Sequence, residues 1–386
     1  MPTLRREHEA DSERLPRHSP TAGGGRRDYL DWLRGIGVLI MIETHTLDSW
    51  TRLADRDRAT YQRAIVLGGF GAPIFLFLAG VALVLAANAR RRRGLSEVEA
   101  TRRAERRAWQ VFGLAFLFRL QSLVISGGGM RALLKVDILN VMGVSMLTAA
   151  WLWRLGRTPW VRAAVLVAAT VLVVMFTPPV RSTSWLDGLP DAIEAYIRPL
   201  PGRATFTFFP WAGFLFAGAV TGIWIDRDHG REGLWNGVLL LTGIAIAAVG
   251  YAASFLPPVY AVTSFWTSSP TFFFIRLGII ASLVPLAYVW SRVAPGLVAR
   301  SPIRVMGVES LFVYWIHVEM VYGVLSTPLH KRLTFEGALA AMAAFTVFLY
   351  GLVQLKQRWF WRRAGEKSTT FTSYRASPAS NRPQSG

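Results

Sequence analysis

The chain has 386 residues, 52% hydrophobic and 17% charged, with 15 Trp, 23 Phe and no Cys. A soluble domain of this size carries roughly a quarter charged residues, so the composition excludes an ordinary water-soluble enzyme. The absence of cysteine excludes disulfides, thiolate metal sites and an acyl-cysteine intermediate. A formal net charge of +19 raises nucleic acid as a partner, but the placement of that charge along the chain argues for a bilayer and against nucleic acid.

Residues 1–26 mix Arg, Glu, Pro and Gly without an apolar core. This predicts a disordered tail, no cleavable signal peptide, and a first span that is itself the anchor. Ten apolar stretches follow, each close to the ~20 residues that cross a bilayer: 32–51, 65–88, 108–126, 133–153, 160–177, 206–225, 233–255, 271–291, 303–325 and 335–356. With the N-terminus in the cytoplasm, most of the 43 Lys and Arg fall on the cytoplasmic side, as the positive-inside rule requires. The run Arg90–Arg93 with Arg102, Arg103, Arg106 and Arg107 is a topology signal first, and a contact for anionic lipid or a phosphorylated donor second.

The expected fold class is all-α: a polytopic transmembrane helical bundle of about ten spans with both termini cytoplasmic. It comprises a membrane domain over 27–358 and a basic, disordered C-tail over 359–386. The longest external connection, about 178–205, is long enough to cover a site. Pro73, Pro210 and Pro285 lie at depth, and proline is tolerated there where other helices or a wet cavity take up the freed carbonyl. Gly68, Gly69, Gly71 and Ala72 suit close helix packing.

Ionisable side chains within spans are costly, and they mark function by default. Arg34 and His45 lie in the first span and His317 in the ninth; the other four histidines fall in tails or connections. On a helical wheel Asp31, Arg34, Met41, His45 and Asp48 share one side, within about 60° of Arg34, whereas Glu43 faces the other way. Arg34 and His45 are about 16 Å apart along the axis, so they mark two ends of one path, with Arg34 at the cytoplasmic end. Asp48, one turn beyond His45, is placed to hold the second imidazole nitrogen and raise its basicity.

His45, Arg119, Asp137, Asn140, Arg276, His317 and Glu319 all fall in the outer halves of their spans, which predicts a shared polar chamber. The competing reading is interhelical pairing, Arg119 with Asp137 or Arg276 with Glu319. Two membrane histidines on separate spans are too few for a metal site.

The pattern Leu30-Asp31-Trp32-Leu33-Arg34-Gly35, with His45 eleven residues after Arg34, resembles the first helix of multi-pass membrane acyltransferases. Further matches resemble the heparan-alpha-glucosaminide N-acetyltransferase-like family, especially its bacterial branch, which is related to acyltransferase family three. They are Val136-Asp137-Ile138-Leu139 with Gly143, Phe209-Pro210-Trp211-Ala212-Gly213 with Gly218, and Ser310 through His317. The resemblance covers about residues 27–356. It implies transfer of an acyl group, typically acetyl from acetyl-CoA, to an amine or hydroxyl of a sugar across the membrane.

By resemblance His45 is the catalytic histidine and Arg34 the contact for the acyl-CoA co-substrate. The chemistry of acyl transfer adds candidates read from the residues themselves: Asp48 to orient His45, Asp31 beside Arg34, and Arg119, Asp137, Asn140, Arg276 and His317 as substrate or oxyanion contacts. In the heparan enzyme the catalytic histidine lies in a lumenal loop, whereas the corresponding loop here, about 51–64, has none. The implied partners are the lipid bilayer and a saccharide or glycolipid acceptor of the cell envelope. The implied location is the cytoplasmic membrane, and the oligomeric state, a homodimer included, is open. The alternative is a transporter of a sugar or lipid-linked solute with an intramembrane His/Asp/Glu relay, although no duplicated halves are visible in the chain.

Overall fold

A computed structural model describes residues 27–126 and 133–375. The expected tail 1–26 and the end of the expected C-tail, 376–386, lie outside the described residues. The architecture is a membrane-spanning all-α bundle, with no strands among the described residues. Its helices are α1 Asp28–Trp50, α2 Ala59–Gly68, α3 Gly71–Arg92, α4 Glu97–Ser126, α5 Ile138–Leu155, α6 Pro159–Met175, α7 Thr177–Ser182 and α8 Asp191–Ile197. They continue as α9 Phe208–Ile225, α10 Glu232–Ala253, α11 Pro270–Val293, α12 Pro295–Arg300, α13 Pro302–Val308, α14 Ser310–Tyr322 and α15 Phe335–Arg375.

Among the described residues, seven stretches are long and apolar enough to cross a membrane: 59–92, 138–155, 159–182, 208–225, 232–253, 270–293 and 335–359. The three other expected spans carry charge or a break. α1 contains Asp31, Arg34, Glu43 and Asp48, α4 starts with an arginine-rich half, and residues 303–325 divide at Glu309 into α13 and the 13-residue α14. The expected C-tail is helical as far as Arg375, because no proline interrupts it before Pro378. Pro73 and Pro210 fall in the first turns of α3 and α9, where a missing N–H is least felt; only Pro285 is interior to its helix.

Local chemistry explains several helix ends. Asp28 and Asp31 in the first turn of α1 complement the positive end of its dipole. Thr158 caps α6, with Pro159 following it, and Ser269 caps α11, with Pro270 following it. The largest buried cluster joins α3, α5, α6, α9 and α11 through Phe77, Leu166, Phe214, Leu215 and Ile280. A second cluster packs α1 against α13, α14 and α15 through Val38, Ile42, Met306, Val313 and Leu349.

At the arginine-rich end, Asp226 accepts from Asn88 at 2.9 Å, Arg92 at 2.7 Å and Arg27 at 3.3 Å. Glu232 accepts from Arg27 at 2.9 Å and from the Tyr29 hydroxyl at 3.0 Å. These bonds tie the start of α1 to α3, α9 and α10. At the other end residues 49–52 are laced to 331–333: Lys331 N–H to Ser49 O at 2.9 Å, Leu333 N–H to Trp50 O at 3.0 Å, and Arg52 N–H to Leu333 O at 2.8 Å. The two braces fix both ends of α1.

α1 and α13 cross with their backbones in contact. A Cβ on Gly35 would lie 1.9 Å from the Ile303 carbonyl oxygen, and one on Gly307 would lie 1.9 Å from that of Asp31. Small residues permit this approach where the lipid supplies no hydrophobic drive between helices. Gly307→Val therefore forces α13 off α1, with an expected cost at or above the ~1–3 kcal/mol of ordinary overpacking. The check is the thermal unfolding midpoint in detergent, which an accommodated valine would leave unchanged.

Asp55, in the 3-10 turn Leu53–Asp55 outside the spans, braces the same end. It accepts from Arg52 at 3.1 and 3.2 Å and from the Phe335 N–H, at the start of α15, at 3.0 Å. The Arg52 hydrogen bonds, then the Phe335 N–H, hold its carboxyl below the ordinary carboxylate range. A depressed carboxyl contributes stability above its unfolded pKa and loses it as pH falls through the folded value. The melting-point gap between wild type and Asp55→Ala is thus expected to be widest near neutrality and to close in acid. A gap independent of pH from 7 to 3 would remove this role.

Candidate active site

His45 and His317 meet across α1 and α14. The Nδ1 of His45 lies 2.8 Å from the Nε2 of His317, and the His317 Nδ1 lies 2.9 Å from the Val313 carbonyl oxygen. The ring planes are 7° apart with centroids at 5.0 Å. With a nitrogen–nitrogen distance of 2.8 Å, that separation means edge-to-edge imidazoles with a head-on hydrogen bond, not stacked faces.

The hydrogen bonds fix the tautomers of the neutral pair. A carbonyl oxygen only accepts, so His317 carries its proton on Nδ1 and donates it to Val313. Its Nε2 then holds a lone pair, which accepts from His45 Nδ1–H. The lone pair of His45 is thereby placed on Nε2. His317 has no accessible surface (0%), whereas His45 keeps some. The free lone pair thus belongs to the more accessible partner.

Asp48 does not hold His45. Its Oδ2 accepts from the Tyr322 hydroxyl at 3.1 Å, and its Oδ1 lies 3.6 Å from the Arg56 guanidinium. The tyrosine ring stands edge-on to His45 at 5.5 Å, so Asp48 acts one side chain removed from the imidazole. The wheel reading misassigned it because a carboxylate one turn on faces the end of α1, where Tyr322 and Arg56 reach it first. Tyr322 itself escaped the sequence reading, as did His330, whose Nδ1 lies 3.2 Å from Ser49 Oγ. Ser49 gives its one proton to Val321 O at 2.9 Å, so the His330 N–H is the donor to Ser49.

The remaining candidates divide into separate sets. Arg119 pairs with Asp137 at 3.0 Å. Asp137 caps α5 through the Leu139 and Asn140 N–H groups at 3.0 and 3.4 Å, while the Asn140 side-chain oxygen accepts from the Asp137 N–H at 3.1 Å. Asn140 Nδ2 donates to Tyr196 on α8 at 3.1 Å. The long connection is therefore built over this end of α5, with α7 and α8 inside it. Arg276 does not pair with Glu319: it donates to Gly69 O at 2.8 Å and lies over the Phe272 ring at 4.5 Å. The polar chamber expected for seven side chains is thus a histidine pair, an ion pair capped with Asn140, a separate arginine and a separate Glu319. An aromatic wall stands between the first two, with Tyr314 against His317 at 5.8 Å, Phe118 against Tyr314 at 5.7 Å, and Arg119 over Phe118 at 5.9 Å.

Polar atoms are left over beside that wall and at Arg276. Arg119 Nε, Arg276 Nε and Glu319 Oε1 are buried without a hydrogen-bond partner, which suits a site that a polar molecule completes. Arg34 lies at the other end of α1, paired with Asp31 at 2.9 Å.

The catalytic domain family of heparan-alpha-glucosaminide N-acetyltransferase matches residues 26–250, more than half of the chain. The chain belongs to that family. Membership makes it a multi-pass membrane acyltransferase. The match takes in α1 through most of α10, with Arg34, His45, Arg119, Asp137 and Asn140; Arg276 and His317 lie beyond it. No curated protein matches the chain. The glycines of its family-like segments are packing points: a Cβ on Gly143 would meet Phe112 at 2.7 Å, and one on Gly218 would meet the Phe77 carbonyl oxygen at 1.9 Å.

Asp137→Ala removes a helix cap, a loss of about 1 kcal/mol, and leaves Arg119 unpaired at depth, bringing the expected total to roughly 3–5 kcal/mol. Adding Arg119→Met should recover much of it, and a double-mutant cycle on thermal unfolding measures the recovery. Additive losses in the double variant would show that the ion pair carries no coupling.

Proposed function

We propose that this acyltransferase moves an acetyl group from acetyl-CoA to an amine or hydroxyl of a cell-envelope saccharide or glycolipid in the cytoplasmic membrane. The observation that carries the reading is the His45–His317 pair with its fixed tautomers. Acyl transfer from a thioester needs a base for the incoming N–H or O–H and donors for the tetrahedral oxyanion. His45 Nε2 is the base. As it takes a proton, the Nδ1–H of the forming imidazolium strengthens its bond to the neutral His317, which acts here as a buried carboxylate does in a triad.

Arg34 and Asp31 mark the donor end, with the arginine toward the phosphates of coenzyme A. The ~16 Å from Arg34 to His45 along α1 is the length of path that a pantetheine arm has to cover. Arg119 and Arg276 supply candidate oxyanion and acceptor contacts, and their unpartnered Nε groups support that assignment. Asp137 and Asn140 contribute by holding Arg119 and the covering connection in place.

Purified wild type with radiolabelled acetyl-CoA and amino-sugar or sugar acceptors should transfer or release label. His45→Ala, folded by its melting profile, should lose about 10²–10⁴-fold in turnover, the usual worth of a positioned base. His317→Ala should lose less and change the pH–rate profile, since it removes only the partner of the base. Undiminished turnover in folded His45→Ala would end the assignment, and absence of acetyl-CoA or longer acyl-CoA turnover in wild type would end the donor class.

A further inference from the structure

The exposed face of α4 changes chemistry along one line. Arg102, Arg106, Trp109, Leu117, Leu120 and Val124 follow one another at helical spacing and are all exposed. Arg103 and Arg107 widen the arginine end of the stripe. Trp109 is 59% exposed, and the aliphatic residues beyond it are equally bare. The opposite seam, with Ala100, Ala104, Ala108, Val111 and Ala115, is buried against the bundle. The 30-residue helix is about 45 Å long, more than a hydrocarbon core of about 30 Å can hold. One end must stand among headgroups, and a tryptophan between charge and aliphatic side chains marks the boundary.

The acids near the arginine end are already engaged. Glu97 pairs with Arg162 and Arg91, Glu105 with Arg154, and Asp226 with Arg92 and Arg27. Glu99, on the same face, accepts from the Ser96 N–H and hydroxyl at 3.1 and 2.9 Å. Among the described residues, Arg102, Arg103, Arg106 and Arg107 make no ion pair. Four guanidinium groups within two turns of a membrane-boundary tryptophan complement anionic phosphate bidentately.

We propose that this face of α4 binds the phosphates of anionic phospholipids, fixing the helix at the membrane surface. The partner is a lipid headgroup with net negative charge. A zwitterionic headgroup offers the same phosphate with its charge cancelled, and so binds less.

The test is native mass spectrometry of detergent-purified protein with phosphatidylglycerol or phosphatidylcholine. Wild type should retain phosphatidylglycerol preferentially, and R102Q/R103Q/R106Q/R107Q should retain about tenfold less or worse, with phosphatidylcholine retention unchanged. In wild type, retention should fall as salt rises. Equal retention by the two proteins, or no salt dependence, would reduce the arginines to a topology signal. Displacement of phosphatidylglycerol by stoichiometric coenzyme A would assign the patch to a soluble phosphate and overturn the lipid reading.

Discussion

Hydrocarbon offers no hydrogen bonds, so each polar group at depth has to find its partner within the protein. That constraint organises this bundle. His317 is satisfied by its own helix through Val313 O, and His45 is satisfied by His317. The first bond dictates the second, and together they decide which nitrogen of which ring keeps a free lone pair. Asp137 shows the same rule applied to structure: it is neutralised by Arg119 and spends its lone pairs on the bare N–H groups of α5.

Precision at the histidine pair depends on α1 being held along its length. Its start is bonded into the Asp226–Glu232 network, its first two turns touch the backbone of α13 at Asp31 and Gly35, and its end is laced to residues 331–333. α14 carries the second histidine but is short, and it is set against α1 by Val313, Val321 and the cluster around Met306. A base is useful only where its geometry is fixed before substrate arrives, and these three attachments supply that fixation.

The helical class, the places of the apolar helices, and the presence of His45 and His317 on two of them were legible in the sequence. Hydropathy reports whether a segment prefers lipid, and a lone imidazole in such a segment stands out. Pairings across helices were less legible. Arg119 with Asp137 could be named because opposite charges at similar depth are few, yet the same argument paired Arg276 with Glu319, where a backbone carbonyl of Gly69 serves instead. Carbonyls carry no sequence signature. Asp48 failed for a related reason: a helical wheel ranks neighbours on one helix and is blind to Tyr322 arriving from another. The short helices α7 and α8 were hidden by the prolines around them, which read as an irregular loop.

The direction of the histidine pair has a consequence for bookkeeping of protons. A chain that conducts needs an exit, and the far end of this one is Val313 O, an amide oxygen that accepts a hydrogen bond but takes no proton at ordinary pH. The pair is therefore a dead end, able to hold charge but unable to pass it through the bilayer. In the proposed transfer, a proton lifted from the acceptor by His45 would return through the same nitrogen, with the thiolate released from the donor as its natural recipient. That proposed cycle would be closed and stoichiometric, one proton borrowed and one repaid per acyl group, and would draw nothing from a transmembrane gradient.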